Sequence, residues 1–587
     1  MGPRRTWLAA APGALLLATP IAFLLATLGA IPAARAADTF TAPAYTDSDC
    51  QVSFGGSVLG LTPDMIGSVV GMPVSVSATP APQTVVVVSL GQSVDQADVR
   101  SFLQFCGLNP VTWTDVLNPG DPAPALGSEA TLDLTVIAAL LPANTTLKTA
   151  TIADGLDFLS ALVNAGNACG LDGSDPTQWR RSQLDTPTGG CIATMSYAIF
   201  EQSLRYMLTL EGLTTTAQQD EYIADVEIVL AGLASSGVIT LISSGDEGSG
   251  GCQPWTRGVR DVMAPQWPST SANALSVGGT MWAPPTWNGA AITPTSYVPG
   301  ATLMPVTWRN WNMGSDCDWV AGVTEWPGIG TTGGISAFAT RPDYQDSVAG
   351  VAPSSTGRLS PDLAALAGWP TWLVPIYTGA GVTYSMGTSA AAPLIAAGLA
   401  QVNAALTSRG LAPLDNSGGA MDVHEVIYSP AFASAFNDVT QGTNNLWSSD
   451  LWTGPTAVTT VPALTTLGFL SGGVPVANGS GTMTGYSAGV GYDLTTGMGV
   501  PNFSTLAQLL IDAQRPAPGG PPPVLQQLPA PDSGSCDLTI TTYDWGGSSS
   551  GGWTKSWAQW ANDGTGGAVC TRTLVYSSAL RHWIVQR

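Results

Sequence analysis

From residue 84 onward the chain alternates short, nearly unbroken apolar runs with segments of helical period. TVVVVSL (84–90) precedes VDQADVRSFLQFCGL, CIATMSYA (191–198) precedes IFEQSLRYMLTLEG, and GVITLISS (237–244) and ALSVGG (274–279) add two further runs. Strands that are apolar at every position are covered on both faces, as in a parallel sheet flanked by helices. The pattern predicts a doubly wound α/β domain, with functional groups in the loops at the carboxyl ends of the strands. FSTLAQLLIDAQ, after Asn502, reads as a closing helix. The stretch YSMGTSAAAPLIAAG (384–398) puts one serine between a Gly-Thr turn and a small-residue helical run, which Pro393 is expected to close early.

The two ends read differently. Residues 1–36 carry Arg4 and Arg5, a long apolar run and Ala34-Arg35-Ala36, the pattern of a secretory signal with its cleavage site. The apolar run also approaches the length of a membrane anchor, and the paired arginines are compatible with twin-arginine export. RPAPGGPPPVLQQLPAPDSGS (515–535) is a Pro/Gly linker. Beyond it, residues 536–587 hold Trp545, Trp553, Trp557, Trp560 and Trp583. Such density in so short a unit predicts a disulfide-stapled β module with exposed aromatics.

Composition narrows the partners. Lys and Arg total 19 against 41 Asp and Glu, a net charge of −22, which argues against nucleic acid. Charged residues make up 10% of the chain, against roughly 25% in an average soluble protein; few titrating groups leave little protonation linkage to unfold it in acid. Eight cysteines, Cys50, Cys106, Cys169, Cys191, Cys252, Cys317, Cys536 and Cys570, form an even set without a CxxC pair, so disulfides are expected and a zinc site is not. Cys169–Cys191 and Cys536–Cys570 would each close a local loop.

A serine nucleophile at Ser389 needs a base, and in most serine peptidases that base is histidine. The chain has two histidines, His424 in a loop-like DVHEVIY stretch and His582 beyond the linker. Neither precedes Ser389, as the histidine of subtilisin-like enzymes does. Either Ser389 is structural or its base is a carboxylate. GSEATLDLTVIAALL (127–141) offers one: Glu129 and Asp133, spaced i and i+4, project from one face of a helix. The same pair would also simply complement a helix N-terminus. Asp246, in LISSGDEGSGG, follows an apolar strand into a turn at the rim of the sheet.

Together these segments resemble the sedolisin family, the serine-carboxyl peptidases, in the family's order. The resemblance runs from LTPDMIGSVVGMP through TVVVVSLGQ, SEATLDL, MSYAIFE, SSGDEG, MAPQWPSTSANALSVGGT, GGISAFATRPDYQ, SPDLAALAGWP and SMGTSAAAP to FNDVTQGTNN and SAGVGYDLTTGMGVPN, most of residues 61–505. It implies a subtilisin-like α/β peptidase domain over 61–514. Glu129 would be the base, Asp133 the acid behind it, Asp246 the oxyanion-stabilising acid and Ser389 the nucleophile. It also implies one structural calcium ion, with carboxylates from Asp438 and Asp493 and backbone carbonyls from Val439, Gly489 and Gly491, a hard-oxygen set suited to that ion.

Two departures stand out. Residues 37–60 are short for the family's pro-segment, so the chain is expected to fold without one, to receive it from another chain, or to be weakly active. Met386 stands where the family usually has glycine. The function expected is an exported, acid-acting, monomeric endopeptidase or tripeptidyl-peptidase on protein or peptide substrates, its tail binding cell-wall polysaccharide. The alternative is a wall-associated binding protein on a decayed peptidase fold.

Overall fold

The computed structural model describes residues 52–54, 57–59, 66–67, 70–118, 121–171, 175–249, 263–283, 307–310, 330–368, 374–378, 381–385, 387–419, 421–440, 442–444, 485–515, 553–560, 569–577 and 582–586. The expected signal, Met386, most of the linker and the Cys536–Cys570 pairing lie outside them.

The first apolar run forms β1 (Gln83–Leu90), followed by α1 (Gln96–Phe105), β2 (Trp113–Leu117), α2 (Ser128–Leu140), β3 (Thr145–Ile152) and α3 (Phe158–Cys169). The chain then runs through β4 (Cys191–Met195), α4 (Glu201–Leu210), α5 (Thr216–Ser235), β5 (Ile239–Ser243), β6 (Leu275–Ala283), β7 (Thr307–Asn310) and β8 (Leu363–Leu366). It closes with α6 (Thr388–Thr407), α7 (Val423–Tyr428) and α8 (Phe503–Gln514).

The strands make one sheet in the order β7-β6-β5-β4-β1-β3-β2, with β8 also pairing β6. Seven of the eight are parallel, and β7 runs antiparallel to β6. Alternate side chains of β1 serve two cores: Val85 and Val87 pack with α1, α2, α6 and α8, while Val86 and Val88 pack with α3, α4 and α5. Both faces of the sheet are therefore covered, which is why its strands read as unbroken apolar runs. The doubly wound expectation holds, and the closing helix spans Phe503–Gln514 as expected.

Two expectations are corrected. Pro393 does not close the serine-bearing helix; α6 continues through it to Thr407. The helix is buried along its length, and tertiary packing outweighs the single backbone bond that proline removes. It is the one helix among the described residues apolar and long enough to cross a membrane, yet it is the domain's central core helix. The DVHEVIY stretch is also not a loop: Asp422 caps α7 by accepting from the His424 and Glu425 N–H groups.

The Cys169–Cys191 disulfide is formed and ties the end of α3 to the start of β4. In the tail, Trp553–Trp560, Val569–Ser577 and His582–Gln586 form a three-stranded antiparallel sheet, in keeping with a β module.

Candidate active site

Glu129 and Asp133 lie one turn apart on α2. The N-cap of this helix, Gly127, has no side chain to cap with. Gln92, in the loop after β1, supplies the missing acceptor: its Oε1 takes the Glu129 N–H at 3.3 Å. A Cβ at position 127 would run into the Gln92 side chain, so glycine is what lets the cap approach. Asp133 is fully buried.

Ser389 enters from the opposite side, in the first turn of α6, and is itself 5% exposed. Its hydroxyl is within hydrogen-bonding range of the Glu129 carboxyl. Burial raises Glu129 to about 7, an effect the Ser389 hydrogen bond partly opposes. Asp133 is pushed well above the usual carboxylate range by burial first, then by the neighbouring Glu129 charge. The two carboxyls behave as one interacting pair holding at least one proton in common.

Ser196 supports the same conclusion from geometry. This residue, just past the end of β4, has its Oγ 3.0 Å from Asp133 Oδ1 and 3.3 Å from the Ser389 carbonyl oxygen. A hydroxyl has one hydrogen. It serves both oxygens only if Asp133 is protonated and donates to Ser196, which then donates to Ser389.

Asp246 sits just past β5. Its Oδ1 accepts from the Thr388 N–H and the Thr388 hydroxyl, both at 2.7 Å, and Thr388 Oγ1 in turn accepts from the Gly245 N–H at 3.1 Å. The carboxyl is thus clamped against the N-terminus of α6, one residue from the nucleophile. Gly387 caps that helix at φ 119°, and a Cβ there would stand 2.6 Å from Asp246 Oδ2. Both facts require glycine. Burial, then the charge of Glu247, raises Asp246 to about 7. In its protonated form the acid is a hydrogen-bond donor facing the turn that carries Ser389.

The structure therefore brings together all four residues singled out for catalysis, Glu129, Asp133, Asp246 and Ser389. His424 is not among them. It is buried elsewhere, with Nδ1 at 3.0 Å from Asn416 Oδ1, Nε2 at 3.2 Å from the Ala274 carbonyl, and its ring stacked on Tyr344. The Asn416 amide is oriented by its donation to Asn273 O at 2.8 Å, so both imidazole nitrogens face oxygens and neither is free to act as a base.

Ser196, Gln92 and Thr388 were not singled out from the sequence. The available signal for Ser196 was its place at the carboxyl end of a strand.

The five residues considered for calcium also converge. Asp438 Oδ2 accepts from the Gly491 N–H at 2.8 Å, and Asp493 Oδ2 from the Gly489 N–H at 3.1 Å. Val439 is buried beside them. Asp493 Oδ1 also takes the Thr495 and Thr496 N–H groups at 2.8 and 2.9 Å. Among the described residues there is no group of three or more ionisable ligands. What gathers is two carboxylates that accept peptide N–H groups of a glycine loop with open space at positions 489 and 491; the two carboxylates are donors that fit a hard cation.

Residues 182–430 match the sequence profile of the subtilase family, a region that holds Asp246 and Ser389 and begins after Glu129 and Asp133. Over 326 residues, 53% of this chain, the sequence is 26% identical to tripeptidyl-peptidase 1 of Bos taurus. The chain spans 44% of that relative's length. Among solved structures, Pseudomonas sedolisin, a serine-carboxyl proteinase, superposes with a TM-score of 0.51 at 19% identity, covering 77% of this chain and 98% of the other.

Proposed function

We propose, from a chain that is sedolisin-like in fold and carries a subtilase-family region, that it is an acid-acting serine-carboxyl peptidase. It cleaves peptide bonds as an endopeptidase or tripeptidyl-peptidase. The observation that carries this reading is the Ser389 hydroxyl set against the buried Glu129 carboxyl, with Asp246 clamped one residue away and His424 engaged elsewhere.

Glu129 takes the Ser389 proton as the oxygen attacks a peptide carbonyl, then returns it to the leaving amine. Its pKa near 7 suits a group that must both accept and give back a proton. Asp133 keeps the second proton and, through Ser196, holds the nucleophile's backbone. Protonated Asp246 donates to the oxyanion of the tetrahedral intermediate; ionised, it would repel that charge. The first-turn N–H of Ser389, which has no intrahelical acceptor, faces the same developing charge.

Activity requires Glu129 ionised while Asp133 and Asp246 keep their protons. It therefore forms a bell: it falls as pH rises through about 7, where Asp246 ionises, and falls toward lower pH as Glu129, also raised to about 7, takes up its proton.

The chain is exported through its N-terminal segment, and the Trp-rich tail holds it on polysaccharide. One calcium ion held by Asp438, Asp493 and the carbonyls of Val439, Gly489 and Gly491 serves stability and takes no part in the chemistry.

Incubating the full chain with denatured protein at several acid pH values and sequencing the fragments tests the activity and separates internal cleavage from tripeptide release. Ser389→Ala should leave the substrate intact; cleavage by that variant contradicts the reading.

A further inference from the structure

Asp246 stands between two opposing influences. On one side, the Thr388 N–H and hydroxyl both donate to its Oδ1 at 2.7 Å. Such donors favour an ionised carboxyl, and they leave Oδ2 as the oxygen to carry a proton. On the other side is a second acid, Glu247, the next residue in the chain. Its Oε2 turns back to accept the Asp246 N–H at 3.0 Å, and the Gln266 side-chain amide donates to the same oxygen. Two N–H donors on one oxygen suit a carboxylate.

The backbone around the two acids is pinned by a neighbouring segment. The Gly330 N–H donates to the Asp246 carbonyl at 2.7 Å, the Gly248 N–H to the Gly330 carbonyl at 2.9 Å, and the Glu247 N–H to the Thr332 hydroxyl oxygen at 3.1 Å. Gln266 is buried, pairs with Phe200 in a short ladder and packs on Gly245, where a Cβ would collide with it. Glu247 therefore swings away from Asp246 only by giving up both donors. An aspartate's carboxyl carbon stands at most about 4 Å from its own nitrogen. Glu247 Oε2, bonded to that nitrogen, is thus held within about 7 Å of the Asp246 carboxyl.

We propose that Glu247, oriented by Gln266, is a positioning residue whose fixed negative charge keeps Asp246 in the protonated form that donates to the oxyanion. The proposal rests on the reading of Asp246 as that donor. Burial raises Asp246 first and the Glu247 charge second, against the pull of Thr388. The titratable groups facing Asp246 are Glu247 on its own loop and Glu129 on α2; α6 presents Thr388, and residues 330–332 are Gly-Thr-Thr.

The test is Glu247→Gln in the full chain, with kcat/KM on a peptide substrate measured from pH 4 to 9. The amide oxygen can keep both hydrogen bonds, so the charge alone is lost. The ratio of wild type to variant should be near one at the acid end, where Asp246 is protonated in both. It should climb to about tenfold above pH 8, the worth of roughly one pKa unit for a like charge at this range. A merely structural role would lower the rate by the same factor at every pH. Gln266→Met takes one donor from Glu247 and should give the same climb at smaller amplitude. A ratio that is flat across pH, or that rises toward acid, in whichever of the two variants folds overturns the proposal.

A Ser389→Ala background, which cannot digest itself, removes the dependence on activity. The raised Asp246 contributes stability that is lost as pH rises through about 7, and less is lost once the neighbouring charge is gone. The melting temperature of Glu247→Gln relative to Glu247 should therefore rise from pH 5 to pH 8. That rise in a chain whose Ser389 form cleaves nothing at any pH would keep the coupling of the two acids and reject the peptidase. Cleavage with a flat rate ratio and a flat melting difference would keep the peptidase and reject the role of Glu247.

Discussion

The hydroxyl of Ser196 takes up the carbonyl of Ser389 that Pro393 leaves without a partner. In an uninterrupted helix the Ser389 oxygen would accept from the N–H four residues on, which is position 393, and proline has none. Ser196 Oγ stands 3.3 Å from that oxygen and 3.0 Å from Asp133. One proline thus opens the turn that carries the nucleophile and lets strand β4 reach it. Ser196→Ala should leave the Ser389 carbonyl and Asp133 poorly satisfied, lowering kcat by about 10- to 100-fold for a loss of about 1–3 kcal/mol. Steady-state kinetics at the optimum check this; an unchanged kcat would remove Ser196 from the machinery.

Asp246 separates charge from hydrogen bonding. Asp246→Asn keeps a donor that needs no proton from solvent, so residual activity should persist and lose part of its fall above pH 7. Asp246→Ala should lose about 10²–10³-fold, the usual worth of one oxyanion donor. Rate profiles of the two variants decide it, and equal losses with equal pH dependence would count against the assignment.

Buried acids make the fold itself pH-sensitive. Glu201 is 2% exposed and accepts from Ser336, Thr270 and the Ala337 N–H, yet burial still raises it from 4.5 to about 7. Glu129 and Asp246 are also raised to about 7, and Asp133 further. A folded pKa above the unfolded one gives stability that is complete below about pH 4 and is lost as pH rises through about 7. For Glu201 alone the loss is at most about 3 kcal/mol. Melting temperature should therefore fall from pH 4 to pH 8, and fall less steeply in Glu201→Gln. A midpoint that rises toward pH 8 would contradict the linkage.

The calcium reading is best tested at Asp438. Asp493 already anchors its own turn through Thr495 and Thr496, so its removal would destabilise the fold with or without an ion. Asp438 is exposed. Added calcium should raise the melting temperature of the wild type by mass action, and Asp438→Ala should abolish the rise. Equal rises in both would place any ion elsewhere.

Deleting residues 516–587 should leave peptide cleavage intact and abolish retention on cell-wall polysaccharide. A sedimentation assay with insoluble wall material reads the second effect. Loss of folding on deletion, or undiminished retention, would show that the tail is not a separate attachment module.

Much of this site was legible in the sequence because its chemistry is local there. Glu129 and Asp133 share a helix face by spacing alone, Asp246 follows an apolar strand, and the scarcity of histidine turned attention to carboxylates. The unbroken valines of β1 announced a sheet covered on both sides. What could not be read were contacts across long separations, such as Ser196 with Ser389, Gln92 with Glu129, and Thr388 with Asp246. Pro393 misled for the same reason: its local effect is to break a helix, while the core packed around α6 carries the helix through.

The central claim is that a carboxyl pair, and no histidine, activates Ser389. Measuring kcat/KM from pH 3 to 9 for the wild type and Glu129→Gln tests it most directly. The account predicts a bell for the wild type that falls above about pH 7 as Asp246 ionises and falls toward acid as Glu129 is protonated, and near-complete loss in Glu129→Gln, whose amide cannot accept and return the hydroxyl proton. Cleavage that rises through pH 8 and survives Glu129→Gln would contradict it.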